Sequence, residues 1–202
     1  ALGLGRDLLP VVSDPTATIS PNSGLRALGK TPSCFNYSGH VIGITDWTRR
    51  ESSPEEIDNW MTDSRLGICI KTGKVYGLDI DVDDPLVADQ IEKFFVNRLG
   101  PLPCRVRENS GKRLLAVIVD GQISKRVIKT LSGRIELLGN GQQFVAVGTH
   151  TSGARYVWRD GLPTEIPSVS PDELMAAWRE AESQLEAPTM KMQSVARIDR
   201  FD

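Results

Sequence analysis

Val75-Tyr76-Gly77-Leu78-Asp79-Ile80-Asp81-Val82-Asp83 alternates apolar and acidic residues over its second half. Successive side chains of a β-strand point to opposite faces. Asp79, Asp81 and Asp83 therefore share one face, and Leu78, Ile80 and Val82 the other. Carboxylates at that spacing repel one another unless a divalent cation sits between them. Mg²⁺ and Mn²⁺ take hard oxygen ligands, usually one or two carboxylates with substrate phosphates completing the shell. The pattern points to phosphate chemistry. The competing reading is an exposed edge strand with a solvated acidic face.

Upstream, Leu66–Ile70 reads as a short apolar strand, and Lys71-Thr72-Gly73-Lys74 as a turn, so 66–81 is expected to form a β-hairpin. Ser53-Pro54-Glu55-Glu56 is a capping box with Pro at the first helical position, followed by Ile57, Trp60 and Met61 on one helix face. Residues 13–40, rich in Pro, Ser, Gly and Thr, read as mostly irregular.

Downstream, Asp84-Pro85 opens a helix whose apolar stripe is Leu86, Ile91, Phe94, Phe95 and Leu99, and Gly100 ends it. Leu114–Val119 has the continuous apolar character of a buried central strand. Residues 124–131 are expected to form a short basic helix. Arg134–Leu138 and Gln143–Val147 flank Asn140-Gly141, a hairpin signal. Tyr156–Trp158 reads as one more strand. Ser170-Pro171-Asp172-Glu173 opens a last helix to about Leu185, and 187–202 reads as a linker or tail. The expected fold is an α/β sandwich with a mixed sheet, the helix at 85–99 on one face and the acidic strand near the centre.

With 202 residues, 40% hydrophobic and 25% charged, the chain has the composition of a globular domain. A net charge of −2 excludes a DNA binder that relies on overall basicity, though not a local patch. Lys112, Arg113, Lys125, Arg126 and Lys129 cluster, whereas acids concentrate at 79–92 and 172–186. No apolar run reaches membrane-spanning length, and Ala1–Gly5 does not read as a signal peptide. Cys34, Cys69 and Cys104 lack metal-ligand spacing and read as reduced cytosolic thiols.

Glu136, in the apolar run Ile135-Glu136-Leu137-Leu138, supplies a third carboxylate. If its strand neighbours 75–81, three carboxylates converge and can hold two divalent ions. The alternative is a structural ion pair with Arg134 or Arg113. Asn109-Ser110-Gly111-Lys112-Arg113 places small residues and two cations at a strand entrance, suited to a triphosphate. Arg113 shares parity with Leu115 and Val117, and Lys112 with Leu114 and Ala116, so parity does not choose between them. A planar guanidinium favours Arg113. His150, in Gly148-Thr149-His150-Thr151-Ser152-Gly153, is a lone loop histidine.

The order of these segments resembles a family. It runs through Leu28-Gly29-Lys30-Thr31-Pro32, Asp46-Trp47, Leu66-Gly67-Ile68-Cys69-Ile70-Lys71-Thr72-Gly73, Leu78-Asp79-Ile80-Asp81, Lys112-Arg113-Leu114-Leu115, Ile135–Val145, Gly148–Gly153 and Tyr156-x-Trp158. Roughly residues 8–165 resemble the bifunctional DNA primase/polymerase N-terminal domain of phages and plasmids, within the archaeo-eukaryotic primase superfamily.

The resemblance implies a palm related to RNA-recognition-motif folds, packed against an N-terminal α/β module within residues 1–165. The helix at 166–186 and the tail follow. It implies Mg²⁺ or Mn²⁺ on Asp79, Asp81 and Glu136, and nucleotide contacts from Ser110, Lys112, Arg113 and His150, with Lys30 as a further candidate. It also implies a single-stranded DNA template, dNTP or NTP substrates, an associated helicase, and replication of a phage or plasmid in the bacterial cytoplasm. One departure stands out. Many members carry Ser-x-His before the central strand, and here Ser110-Gly111-Lys112 has Lys at that place. A replication-initiator module that binds DNA without polymerising is the alternative. A metal-dependent glycosyltransferase, which also uses Asp-x-Asp, lacks the Glu136 and Lys112-Arg113 elements.

Overall fold

The computed structural model describes residues 3–185. In chain order the elements are β1 (Leu8–Val12), β2 (Ser33–Phe35), β3 (Val41–Gly43), α1 (Pro54–Thr62), β4 (Leu66–Lys71), β5 (Val75–Val82), α2 (Pro85–Leu99), β6 (Cys104–Arg107), β7 (Arg113–Val119), β8 (Arg126–Thr130), β9 (Gly133–Leu137), β10 (Gln143–Thr149), β11 (Arg155–Trp158), β12 (Ser168–Val169) and α3 (Pro171–Leu185). One large sheet has the order β1-β4-β10-β11-β6-β7-β5-β9-β8, and β2 pairs with β3 separately. Its neighbours along that path are antiparallel, and β12 adds a short parallel pairing on β7.

The alternation in β5 has the predicted consequence. Tyr76, Leu78, Ile80 and Val82 are fully buried and pack with Leu115, Val117, Ile135 and Leu137 beneath α2 and α3. Asp84 caps α2 by accepting from the Leu86 and Val87 amides at 2.9 and 3.4 Å, and Gly100 ends it at φ 82°. Ala88, Ile91, Phe95 and Leu99 face the sheet, whereas Leu86 lies on the solvent side, 71% exposed. Ser170 and Glu173 form the expected capping box on α3, whose Leu174, Ala177, Trp178 and Ala181 complete the layer. Each fully buried large apolar side chain contributes roughly 1.5–3 kcal/mol.

Both predicted hairpins around the acidic strand dissolve into longer-range pairing. β4 pairs with β1 and β10, and β5 with β7 and β9, leaving only a Thr72–Val75 bridge between the first two. Likewise β9 pairs with β5 and β8, whereas β10 pairs with β4 and β11. Turn residues reverse a chain, but side-chain burial selects the neighbours. The Asn140 side chain serves the core instead, accepting from Tyr76 Oη at 3.0 Å and the Ile123 amide at 2.6 Å. The basic helix expected at 124–131 is strand β8, because Ile128 is buried opposite Ile135. The stretch 13–40 is irregular except for β2, which forms a hairpin with β3.

β1 and β4 continue the main sheet through β10, so the N-terminal segment is joined to the rest by strand pairing. No helix among the described residues is long and apolar enough to cross a membrane. The three cysteines are unpaired. The tail at 187–202 lies outside the described residues.

Candidate functional site

The face of the sheet opposite α2 and α3 carries the acidic residues. Asp79 is the Cα partner of Glu136 on β9 and of Leu114 on β7, and Asp81 is the partner of Arg134. The shared face of Asp79, Asp81 and Glu136 is thus a consequence of register. Glu136 could take no other face, because Ile135 and Leu137 on either side of it are fully buried under the helices.

Cations surround the carboxylates. Lys112 Nζ lies 2.8 Å from Asp81 Oδ1 and 3.1 Å from Asp83 Oδ1. Arg134 stands 3.4 Å from Asp81 and 3.6 Å from Glu136, and Lys125 3.3 Å from Glu136. Glu136 thus has the Arg134 pairing considered from sequence, shared with Lys125. Burial pushes the Asp79 carboxyl up to about 6, only partly offset by Arg105, and Asp81 and Glu136 add to the rise. Hydrogen bonding to Asp81 raises the Lys112 ammonium.

Arg105 and Arg107 on β6 were not singled out by the sequence reading. Arg105 is buried, 3.8 Å from Asp79 Oδ1 and 4.3 Å over the Tyr156 ring, and its Nε has no hydrogen-bond partner. Burial lowers its pKa, and Asp79 works against that. Cys104-Arg105-Val106-Arg107 does alternate with period two, which was the available signal, but four residues are short for an inference.

Arg107 organises the next part of the face. Its Nη2 donates to Ser110 Oγ at 3.0 Å, and its Nη1 lies 3.3 Å from His150 Nε2. Ser110 Oγ also accepts from the Lys112 amide at 3.2 Å, and His150 Nδ1 lies 2.9 Å from Ser152 Oγ. The turn needs Asn109 at φ 56°, and a Cβ on Gly111 would stand 2.8 Å from Asp83 O. A groove of about 920 Å³ results, lined by Asp83, Arg107, Ser110, Gly111, Ser152 and Gly153. Burial first, then Arg107, Lys30 and Lys112, lower the His150 pKa below the ordinary imidazole value. Lys30 belongs to this positive field: its carbonyl accepts from Gln143 Nε2 at 2.5 Å, and Gly29 lies against Thr149.

Arg113 is the exception among the predicted site residues. It lies on the helix face, 7% exposed, with Nη1 2.5 Å from Asp89 and 2.6 Å from Glu92 and Nε donating to Gly111 O at 2.9 Å. Its parity companions Leu115 and Val117 pack in the helix-side core, whereas Leu114 and Ala116, the companions of Lys112, pack on the other face. The preference for Arg113 over Lys112 is therefore reversed. Both faces of β7 are apolar, which hid the distinction.

The donors suit a hard divalent ion: oxygen only, on one face and two strands wide. Among the described residues no three His, Cys, Asp or Glu side chains close on one point. Asp81 is drawn to Lys112 and Glu136 to Lys125 and Arg134.

No curated protein matches the sequence. A family model does: bifunctional DNA primase/polymerase, N-terminal, matches residues 4–174, a span that contains all twelve strands of the described residues and every residue of the site. The chain belongs to the bifunctional DNA primase/polymerase N-terminal domain family.

Proposed function

We propose that this domain catalyses template-directed nucleotidyl transfer on a single-stranded DNA template, as the primase and polymerase unit of a phage or plasmid replication system. One observation carries the reading: Asp79 and Glu136 are direct cross-strand partners, Asp81 shares their face, and cations flank all three. The two helices behind an antiparallel sheet are consistent with a palm of the RNA-recognition-motif type.

Asp79, Asp81 and Glu136 would hold Mg²⁺ or Mn²⁺, which when bound would lower the pKa of an attacking hydroxyl and neutralise a leaving pyrophosphate. The chain's own groups do the rest. Arg107 presents a planar fork, oriented by Ser110 and His150, that matches phosphate oxygens. Lys112 is a mobile point charge at the place where relatives carry the motif His, poised to exchange Asp81 and Asp83 for phosphate. His150 lies against Arg107 without neutralising it, which leaves the guanidinium charge to the substrate.

Incorporation of dNTPs and NTPs on single-stranded DNA, with Mg²⁺ and with Mn²⁺, tests the reading. Extension is expected from the wild type and none from Asp79→Ala/Asp81→Ala. Binding of DNA without incorporation under any of these conditions would identify an initiator-type binding module instead.

A further inference from the structure

The carboxylates have two cationic flanks of different construction. On the β6 side, Arg107 and Ser110 line the groove, and His150 stands against Arg107. On the β8 side the sheet ends. By register, one row across the site face reads Lys129, Arg134, Asp81, and the next reads Val127, Glu136, Asp79. Lys125 precedes the edge strand and reaches Glu136. Lys125, Val127, Lys129 and Arg134 are all exposed. Lys129 has no ion-pair partner among the described residues, and Val127 is an apolar position 38% exposed between two lysines.

We infer that this β8–β9 edge is the seat of the single-stranded DNA, with the walled groove reserved for the nucleotide triphosphate. The inference rests on the nucleotidyl-transfer reading. A mononucleotide triphosphate is held by convergent donors in a concavity. A polymer strand must enter and leave, which requires an open track. Lys125 and Lys129 are four residues apart, about 13 Å on extended backbone, so they meet two different phosphates of a strand rather than one. Val127 between them offers an apolar platform to a sugar or base, and Arg134 joins the track to Asp81 and Glu136. The net acidity of the chain agrees with a narrow contact rather than a broad basic surface.

The test is fluorescence anisotropy of a labelled oligothymidylate against the wild type, Lys125→Ala/Lys129→Ala and Lys129→Glu, over a range of salt. Binding of a fluorescent deoxynucleoside triphosphate with Mn²⁺ is measured in parallel. Thermal melting checks folding, and Lys129→Glu changes a residue that holds nothing in place. Loss of two phosphate contacts is expected to raise the DNA dissociation constant about tenfold to thirtyfold at 0.1 M salt and to flatten the salt slope by about 1.4. Triphosphate affinity stays at the wild-type value in Lys129→Glu, which leaves Lys125 on Glu136. Wild-type DNA affinity and slope in both variants would overturn the assignment, while incorporation by the wild type would leave the enzymatic reading standing. Equal loss of DNA and triphosphate binding in folded Lys129→Glu would also overturn it, since the two flanks would then be one site. A wild type that binds no DNA at all would overturn both.

Discussion

Glu136 stands directly across the β5–β9 ladder from Asp79, and both strands bury their neighbouring residues beneath α2 and α3. The helix-side core therefore sets the distance between two carboxylates that would otherwise move apart. Cross-strand like charges are destabilising, so this pair is maintained against its own repulsion by packing on the other face and by Lys125, Arg134 and Arg105 around it.

The repulsion makes the first prediction. Asp79→Ala/Asp81→Ala is expected to abolish incorporation while the melting temperature stays equal or rises slightly, because mutually repelling, partly desolvated charges are removed. Retained incorporation in the double variant would sink the assignment of these residues.

The raised carboxyl of Asp79 makes a pH prediction. Its folded-state pKa of about 6 lies above the ordinary 3.8. The folded protein thus binds the extra proton, and stability from this group is present below about pH 4 and lost as pH rises through 6. Metal-free Asp79→Asn is expected to exceed the wild type by on the order of 2 kcal/mol at pH 7.5, with the difference vanishing below about pH 4. Denaturant melts in EDTA at several pH values check this. A difference that grew towards acid would contradict the sign.

Lys112 and Arg113 are adjacent in sequence and opposite in role. Lys112→Ala is expected to raise the apparent nucleotide Michaelis constant about tenfold, the loss of a charge-assisted contact of about 1.5–3 kcal/mol, with little change in stability. Arg113→Ala leaves Asp89 and the little-exposed Glu92 without their shared guanidinium, although Glu92 keeps Arg159. It is expected to cost about 2–4 kcal/mol of stability and to leave the Michaelis constant unchanged. Steady-state kinetics and urea melts on both variants separate the two roles. A nucleotide defect in folded Arg113→Ala would contradict the face assignment.

Gly133 opens β9 at φ 150°, and a Cβ there would lie 2.2 Å from the Asp81 carbonyl. Gly133→Ala must shift β9 against β5 at the carboxylates. It is expected to cost roughly 1–3 kcal/mol and to weaken Mn²⁺ binding. Mn²⁺ titration followed by electron paramagnetic resonance reads the second effect, and unchanged Mn²⁺ affinity would show that the register of β9 does not matter to the ion.

The sequence by itself determined the shared face of Asp79, Asp81 and Asp83, because the side-chain period of a strand is local geometry. It also determined the starts of α1, α2 and α3, because Ser53, Asp84 and Ser170 satisfy orphan amides a few residues away. Only the tertiary structure decided which strands are neighbours. The turns at 71–74 and 139–142 reverse the chain without pairing the strands they join, since burial of Ile135, Leu137 and Phe144 is satisfied against partners far along the chain. Only packing against α2 could assign Arg113 to the helices and Lys112 to the carboxylates, for parity distinguishes two faces but not which one a helix covers. Arg105 and Arg107 became visible last, because a four-residue strand carries little periodicity, and their role depends on Asp79, Tyr156 and His150, which the fold brings to them from other strands and loops.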